Sequence, residues 1–294
     1  MSRQPNIHPL LPYSFGQVVT AIADEQRPVL QSIIAKPFLK WVGGKRSILN
    51  ELLARIPKKY DTYHEPFLGG GALFFALKPK KAYLSDINFR LIIAFQAVRD
   101  DVEHLIALLK IHAVNHSKSY YLEMRERLST EEDPTEIAGL FIYLNKTCFN
   151  GLYRVNQRGQ FNVPMGDYKN PAIVDEENLL AVSASLKNTE IMQQDFSQIK
   201  PVKGGFYYID PPYHTTYDGY DGKDFGDTEH IRLADFCRII DKVGGYFMVS
   251  NSDTDLVRRI YKGYNINQVS SLRTISCKGY QRGKANELII RNYK

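Results

Sequence analysis

The stretch Asp210-Pro211-Pro212-Tyr213 constrains this 294-residue chain more than any other. It follows an apolar, β-prone run at 206–209 that reads as a buried strand. Neither proline can extend a helix or donate to a sheet ladder. The strand therefore ends in a stiff loop, and open α/β sheets bind ligands at the carboxyl ends of their strands. The loop presents a carboxylate, a rigid carbonyl and an aromatic face. That set suits an exocyclic amino group on a planar base, whose lone pair is delocalised into the ring and is a poor nucleophile. Asp210 and the Pro211 carbonyl can accept the two amino hydrogens and favour a tetrahedral nitrogen, while Tyr213 can stack on the base. A four-residue motif also arises by chance in ordinary strand-to-loop turns, so the rest of the chain must decide.

Two glycine-containing stretches lie upstream. In Lys36-Pro37-Phe38-Leu39-Lys40-Trp41-Val42-Gly43-Gly44-Lys45-Arg46 the paired glycines let backbone approach a ligand closely. Lys45 and Arg46 precede an amphipathic helix marked by Ile48, Leu49, Leu52, Leu53 and Ile56. A helix start flanked by cations is an anion site. A basic turn with Trp41 as core is the alternative, and the spacing is not that of a P-loop. The second stretch, Thr62-Tyr63-His64-Glu65-Pro66-Phe67-Leu68-Gly69-Gly70-Gly71-Ala72, runs from a short strand through glycines into an apolar helix at 73–77. It reads as the first βα turn of a nucleotide-binding sheet, without the full dinucleotide fingerprint. A strand at 82–84 then ends in Ser85-Asp86-Ile87-Asn88. Asp86 has two readings: an acceptor for ribose hydroxyls, or the N-cap of a helix that starts near Phe89.

Residues 89–187 break the α/β rhythm. Leu91, Ile92, Phe95 and Val98, then Val102, Leu105, Ile106 and Leu109, read as helices. So do Ile137, Leu140, Phe141 and Leu144, and Leu179, Leu180 and Leu186 behind Asp175. Between them, 145–164 is a polar ribbon rich in Asn, Arg and Gly, interleaved with aromatics. Arg and Asn are the side chains that read guanine and adenine edges, and aromatics can wedge into base steps. A plain solvated hairpin has the same composition. The α/β pattern resumes at 190–192, Asp195-Phe196 and 206–209, then a helix at 233–240, a strand at 246–249, a Gly- and Lys-rich run at 277–284 and a last strand at 288–290. Residues 1–35 are a proline-containing lead, with a short helix predicted near 18–23 and no evident chemistry.

Composition narrows the class. A hydrophobic fraction of 44% supports a substantial core, and 24% charged residues are ordinary for a soluble globular protein. A net charge of +6 leans toward a polyanionic partner. Cys148, Cys237 and Cys277 are far apart and odd in number, which argues for a reducing compartment and against a disulfide framework or a CxxC metal site. None follows a proline, so the Pro-Cys nucleophile of cytosine-C5 methylation is absent. No apolar run is long enough to span a membrane and no secretory signal pattern opens the chain. A cytoplasmic protein is expected.

Taken together, the motifs resemble the Dam-type (D12 class) DNA adenine-N6 methyltransferases, including restriction-system members that modify GATC. The likeness runs from about residue 36 to 294. It is carried by Phe38-Leu39-Lys40-Trp41-Val42-Gly43-Gly44-Lys45, Glu65-Pro66-Phe67-Leu68-Gly69-Gly70-Gly71, Asp86-Ile87-Asn88, Phe149-Asn150-Gly151-Leu152-Tyr153-Arg154, Phe161-Asn162-Val163-Pro164 and Asp210-Pro211-Pro212-Tyr213, in that order. The resemblance implies a Rossmann-like α/β sheet that binds S-adenosyl-L-methionine, formed by 36–88 and 188–294. A mainly helical target-recognition region, 89–187, is inserted, and 1–35 is an N-terminal extension. It implies double-stranded DNA as partner, no metal and a monomer in solution. By the same resemblance, Trp41 and Lys45 meet the methionine end of the cofactor, and Phe67, Gly69, Gly70 and Gly71 line its loop. Asp86 takes the ribose, Asp195 and Phe196 flank the cofactor adenine, and Asp210 borders both ligands. Asp210, Pro211, Pro212 and Tyr213 are the catalytic set. Lys40, Leu152, Arg154 and Tyr168 match positions that contact target DNA, and Phe149 and Asn150 those that brace the opened duplex.

The chain departs from the family after Tyr213. Members that modify GATC usually carry a Pro-Leu-Ser-like run and a Phe-Thr-x-Tyr element there. Here stand His214-Thr215-Thr216-Tyr217 and Asp218-Gly219-Tyr220-Asp221-Gly222, so another short adenine-containing site is the alternative target. A cytosine-N4 methyltransferase would share the fold but more often has Ser at the place of Asp210. A non-catalytic DNA-binding module would not need the intact loop, and a nucleotide-dependent oxidoreductase would need the missing dinucleotide fingerprint.

Overall fold

Runs rich in β-branched and aromatic residues form the centre of the molecule. In the computed structural model, which describes residues 33–215, 225–272 and 284–294, they make a seven-stranded sheet. Its strands are β1 (Thr62–Glu65), β2 (Ala82–Asp86), β3 (Thr189–Gln193), β4 (Gly205–Ile209), β5 (Tyr246–Ser252), β6 (Asn265–Leu272) and β7 (Lys284–Arg291). The spatial order is β3-β2-β1-β4-β5-β7-β6. Strands β1 to β5 are parallel, and β7 runs antiparallel between β5 and β6. The chain moves outward from β1 to β3 and then returns to place β4 on the other side of β1. Strand order therefore reverses between β1 and β4, the point where open sheets hold ligands.

Strand β4 is buried along its whole length, as a central strand covered on both faces must be. Phe206 and Tyr208 join one core cluster with Met248 and Ile289. Tyr207 and Ile209 join the other with Phe247, Val249, Leu288 and Ile290. This alternation assigns the two faces of the sheet. Carried one residue further, it puts Asp210 on the face of Phe206 and Tyr208.

A 3-10 turn at Lys45–Ser47 leads into the short α1 (Leu49–Leu53), and α2 (Ala72–Leu77) follows β1. Five helices separate β2 from β3: α3 (Phe89–Asp100), α4 (Val102–Asn115), α5 (Lys118–Arg127), α6 (Pro134–Thr147) and α7 (Glu176–Leu186). Helix α3 is capped by Asn88, whose side chain accepts from the Leu91 N–H at 3.1 Å. The capping role offered to Asp86 thus belongs to Asn88. Helix α6 begins with Asp133 as N-cap and Pro134 in its first turn, a start with both a cap acceptor and a preset φ. The polar ribbon begins inside α6, since Asn145, Lys146 and Thr147 form its last turn. Beyond it come a 3-10 turn at Phe149–Gly151 and two isolated bridges, Cys148 with Met165 and Val155 with Phe161. Tyr153, Phe161 and Val163 sit in the same core cluster as the sheet face that carries Phe206. The ribbon is therefore packed against the core of the sheet and is not an isolated solvated hairpin.

Helices α8 (Asp227–Lys242) and α9 (Asp255–Ile260) flank β5 in sequence. His230, Leu233, Ala234, Cys237 and Ile240 form the buried stripe of α8, with the spacing of one helical face. Elements α5, α9 and β6 were not legible in the sequence. Helix α5 buries only Tyr121 and Met124, and β6 mixes Asn, Gln and Ser with few apolar residues along a strand that, among the described residues, pairs only with β7. The helix expected from Ile48 to Ile56 is shortened to a 3-10 turn and five α-helical residues. The helix predicted near 18–23, residues 277–283 of the Gly- and Lys-rich run, and residues 216–222 of the departing segment lie outside the described residues. Among the described residues no helix is long and apolar enough to cross a membrane.

Candidate active site

The loops that follow β1 and β4 lie side by side at the switch point. After β1 the chain turns through Gly69 and Gly71, at φ of 48° and 67°. Left-handed backbone is open to glycine at little cost and strains other residues. A Cβ on Gly69 would also stand 2.9 Å from Cδ1 of Trp41. The turn is fastened to β2: the Gly69 N–H donates to Asp86 Oδ2 at 3.1 Å, and the Leu68 N–H donates to the Ser85 carbonyl at 2.9 Å. Asp86 Oδ1 accepts from the Asn88 N–H at 3.0 Å. The Asp86 carboxylate is thus held between the glycine turn and the start of α3.

In the loop after β4, Lys45 Nζ lies 2.8 Å from Asp210 Oδ2. Lys45 is 6% exposed and also donates to the Gly43 carbonyl. Its Nζ stands 4.8 Å from the centroid of the Tyr213 ring. Asp210 Oδ1 is buried and has no hydrogen-bond partner among the described residues. Burial pushes the Asp210 carboxyl up to about 6; Lys45 pulls the other way and Glu287 adds to the rise. The Tyr213 hydroxyl donates to Glu287 Oε2 at 2.8 Å. At the end of β1, buried Glu65 accepts from the Tyr63 hydroxyl at 2.8 Å. Burial lifts Glu65 to about 8 against that hydrogen bond. The loop is pinned to β5 by His214, whose N–H donates to Asn251 Oδ1 at 3.0 Å and whose carbonyl accepts from Ser252 Oγ at 2.6 Å. Glu287, Asn251 and Ser252 were missed in the sequence. Their only signal there is a polar side chain inside a strand.

A third loop follows β3. Asp195 caps the 3-10 turn Phe196–Gln198 and accepts from the Ser197 N–H and hydroxyl at 2.9 and 2.6 Å. Arg232 of α8, also unforeseen, contacts both Asp195 oxygens at 2.7 and 3.1 Å, and its guanidinium carbon lies 4.1 Å from the Phe196 ring centroid. Burial pushes Asp195 up, but Arg232 and Ser197 outweigh it and hold the carboxyl at about 2. Asp195 Oδ2, with only the 3.1 Å bond among the described residues, keeps capacity for a further donor. Phe196 packs near Phe67, with ring centroids 5.5 Å apart.

The residues matched to DNA contacts gather on the other side of Trp41. The Trp41 ring stacks on Tyr153 at 5.9 Å and 24°, so one side chain bridges the glycine turn and the ribbon. Arg90, at the start of α3, ties the ribbon down through the Tyr153 hydroxyl and the Gly159 carbonyl. The backbone of Lys40 is paired in both directions with the Asn145 side chain at 2.8 Å. Its Nζ donates to the Lys146 carbonyl and sits 3.9 Å over the Tyr168 ring. Phe149 is 51% exposed, Asn150 is exposed at φ 55°, and Leu152 is half-buried between them and Tyr153 in sequence. Arg154 is exposed, and its guanidinium is steadied by Asn162, Nε to Oδ1 at 2.7 Å and Nη2 to the carbonyl at 3.3 Å.

The chain is similar to known proteins over most of its length. The family model described as D12 class N6 adenine-specific DNA methyltransferase matches residues 41–275. A protein named Type II methyltransferase M1.LlaDCHI from Lactococcus lactis subsp. cremoris is 40% identical over 88% of this chain and 95% of its own length. Type II methyltransferase M.MjaIII of Methanocaldococcus jannaschii is 41% identical over 88% of this chain and 99% of its own. A DNA adenine methylase of Haemophilus influenzae is 34% identical over 90% and 97%. The matched span 41–275 contains the glycine turn after β1 and the Asp-Pro-Pro-Tyr loop after β4. This chain belongs to the D12 class of N6 adenine-specific DNA methyltransferases.

Proposed function

We propose that this protein transfers the methyl group of S-adenosyl-L-methionine to the N6 amino group of an adenine flipped out of double-stranded DNA, within GATC. The observation that carries this reading is Asp210 Oδ1, a buried acceptor with no partner among the described residues, in a loop that also holds the Tyr213 ring. A buried polar atom without a partner is costly, and an amino hydrogen would satisfy it. The surroundings fit the cofactor. Asp86 at the tip of β2 suits a ribose, half-buried Phe67 offers apolar surface to a purine with Phe196 buried behind it at 2% exposure, and the Lys45 ammonium suits a carboxylate. When bound, the cofactor supplies an electrophilic methyl group on a sulfonium.

The target amino group is out of reach inside the stack, so the base must leave it. Unstacking costs a few kcal/mol, offset by stacking on Tyr213 at about 1–3 kcal/mol, with Phe149 and Asn150 beside the opening. Asp210 Oδ1 and the Pro211 carbonyl accept the amino hydrogens and localise the nitrogen lone pair. A bound cofactor would give up its methyl to that nitrogen, and Asp210 is placed to take the surplus proton. Holding the reactants in line supplies much of the rate. Two relatives are named type II methyltransferases, which favours a modification enzyme of that type. The GATC assignment rests on the motif resemblance, and the altered run from His214 onward keeps another short adenine site as the alternative.

The test is incubation of the protein with duplex DNA and labelled S-adenosyl-L-methionine, followed by nucleoside analysis. N6-methyladenine is expected; N4-methylcytosine or no incorporation overturns the reading. Methylation-sensitive sequencing of the same DNA identifies the site. Asp86→Ala, which removes the ribose acceptor, is expected to weaken cofactor binding on the order of ten- to hundredfold, since a hydrogen bond to a charged group contributes about 1.5–3 kcal/mol. Calorimetry reads this directly, and unchanged affinity would move the ribose elsewhere.

A further inference from the structure

The β6–β7 hairpin contributes a carboxylate to the site. Glu287 lies on β7, opposite Ser252 of β5 and Val269 of β6, and is 8% exposed. It begins an otherwise apolar run, Leu288, Ile289 and Ile290, all buried. Alternation puts Glu287 on the face of Ile289, which shares a core cluster with Tyr208. That is the face to which Asp210 also belongs. Glu287 Oε2 accepts the Tyr213 hydroxyl at 2.8 Å, while Lys45 Nζ stands 4.8 Å from the centroid of the same ring.

A carboxylate at this position works against the reaction in one respect. It adds to the rise in the pKa of Asp210, and so disfavours the ionised form that accepts the amino hydrogens. Burying a charge is also unfavourable unless it is hydrogen-bonded. What it supplies is a fixed anchor at the far end of the Tyr213 ring. The ring projects from a loop and turns about two torsions. A bond at its para oxygen, made to the strand between β5 and β6, fixes the direction of the ring axis, and because a phenol hydrogen prefers to lie in the ring plane, the direction of its acceptor also favours one setting of that plane.

We propose that Glu287 is a positioning residue that holds the Tyr213 ring in the plane against which the flipped base stacks, so that the base's amino group meets Asp210. This rests on the function proposed above. Glu287 touches neither the reacting nitrogen nor the methyl group and acts through Tyr213.

Three variants test it: Glu287→Ala, Glu287→Gln and Tyr213→Phe, with the double variant Tyr213→Phe/Glu287→Ala. Glu287→Ala is expected to lower the rate at saturating DNA and cofactor about tenfold, the effect of one lost charge-assisted hydrogen bond. KM for both ligands should stay within about twofold, because the ring contributes to the aligned complex more than to encounter. Glu287→Gln, whose amide oxygen still accepts the phenol hydrogen, should recover most of the loss. Tyr213→Phe keeps the ring and removes only the bond, so it should match Glu287→Ala, and the double variant should be no slower than either, as for two halves of one interaction. Four results overturn the proposal: a parental rate in Glu287→Ala, a parental rate in Tyr213→Phe, losses that multiply in the double variant, or Glu287→Gln falling as far as Glu287→Ala. Tyr213→Phe carries the test if Glu287→Ala does not fold. A parent protein that methylates no DNA defeats the proposed function instead, so the two failures are distinct.

Discussion

Asp210→Ala is expected to slow methyl transfer by at least a hundred- to a thousandfold while the protein stays folded and binds DNA. The magnitude is that of removing one preorganised polar group from a reacting centre. The fold should survive because the Asp210 side chain retains 19% exposure and Lys45 keeps its bond to the Gly43 carbonyl. Single-turnover rates at saturating cofactor are the measurement, and a rate within tenfold of the parent would sink the assignment. The parent's pH profile tests the same group in another way. The proposed reaction needs the carboxylate, and the Asp210 carboxyl is raised to about 6. Above that pH it is ionised and active; below it, protonation removes an acceptor and the rate falls. Lys45 holds the carboxyl below where burial alone would put it, so Lys45→Ala should move the acid limb to higher pH. An acid limb that stays in place in that variant would separate Lys45 from the titration of Asp210.

The parts of the site that follow from local chain chemistry were legible beforehand. Strand β4 and its Pro-Pro loop need only residue types and spacing, and so does the glycine turn after β1. The partners of those loops were not legible, because they are set by strand order. Glu287 reaches Tyr213 only because β7 inserts antiparallel beside β5, which no local pattern around Leu288 announces. Arg232 meets Asp195 only because α8 returns alongside the turn after β3. Lys45 was read from its helix start as an anion site. The anion it meets in this structure is Asp210, across a distance in sequence that spacing rules do not bridge. Asp86 shows the opposite case. Two local readings competed, and the cap went to Asn88, which is two residues closer to the first helical turn. That frees the Asp86 carboxylate to hold the glycine turn.

Arg154→Ala should change which sites are methylated more than how tightly DNA is held. Arg154 is exposed on the ribbon, and Asn162 holds its guanidinium from two directions at 2.7 and 3.3 Å. A guanidinium fixed in this way loses less freedom when it meets a planar pair of acceptors. Guanine offers such a pair in its O6 and N7, and a bidentate Arg contact there discriminates by about 1–3 kcal/mol, roughly five- to 150-fold. If Arg154 reads a guanine of GATC, the variant loses activity on GATC by that factor, while sites altered at the one base pair lose much less. An Arg that contacts phosphate behaves differently: all sites weaken together, and the dependence of binding on salt becomes shallower. Methylation kinetics on GATC and on each singly substituted site, at one salt concentration, distinguish the two. Uniform loss would reassign Arg154 to the backbone, and a parent that leaves GATC unmethylated would overturn the target while leaving the Asp210 chemistry to be tested on another adenine site.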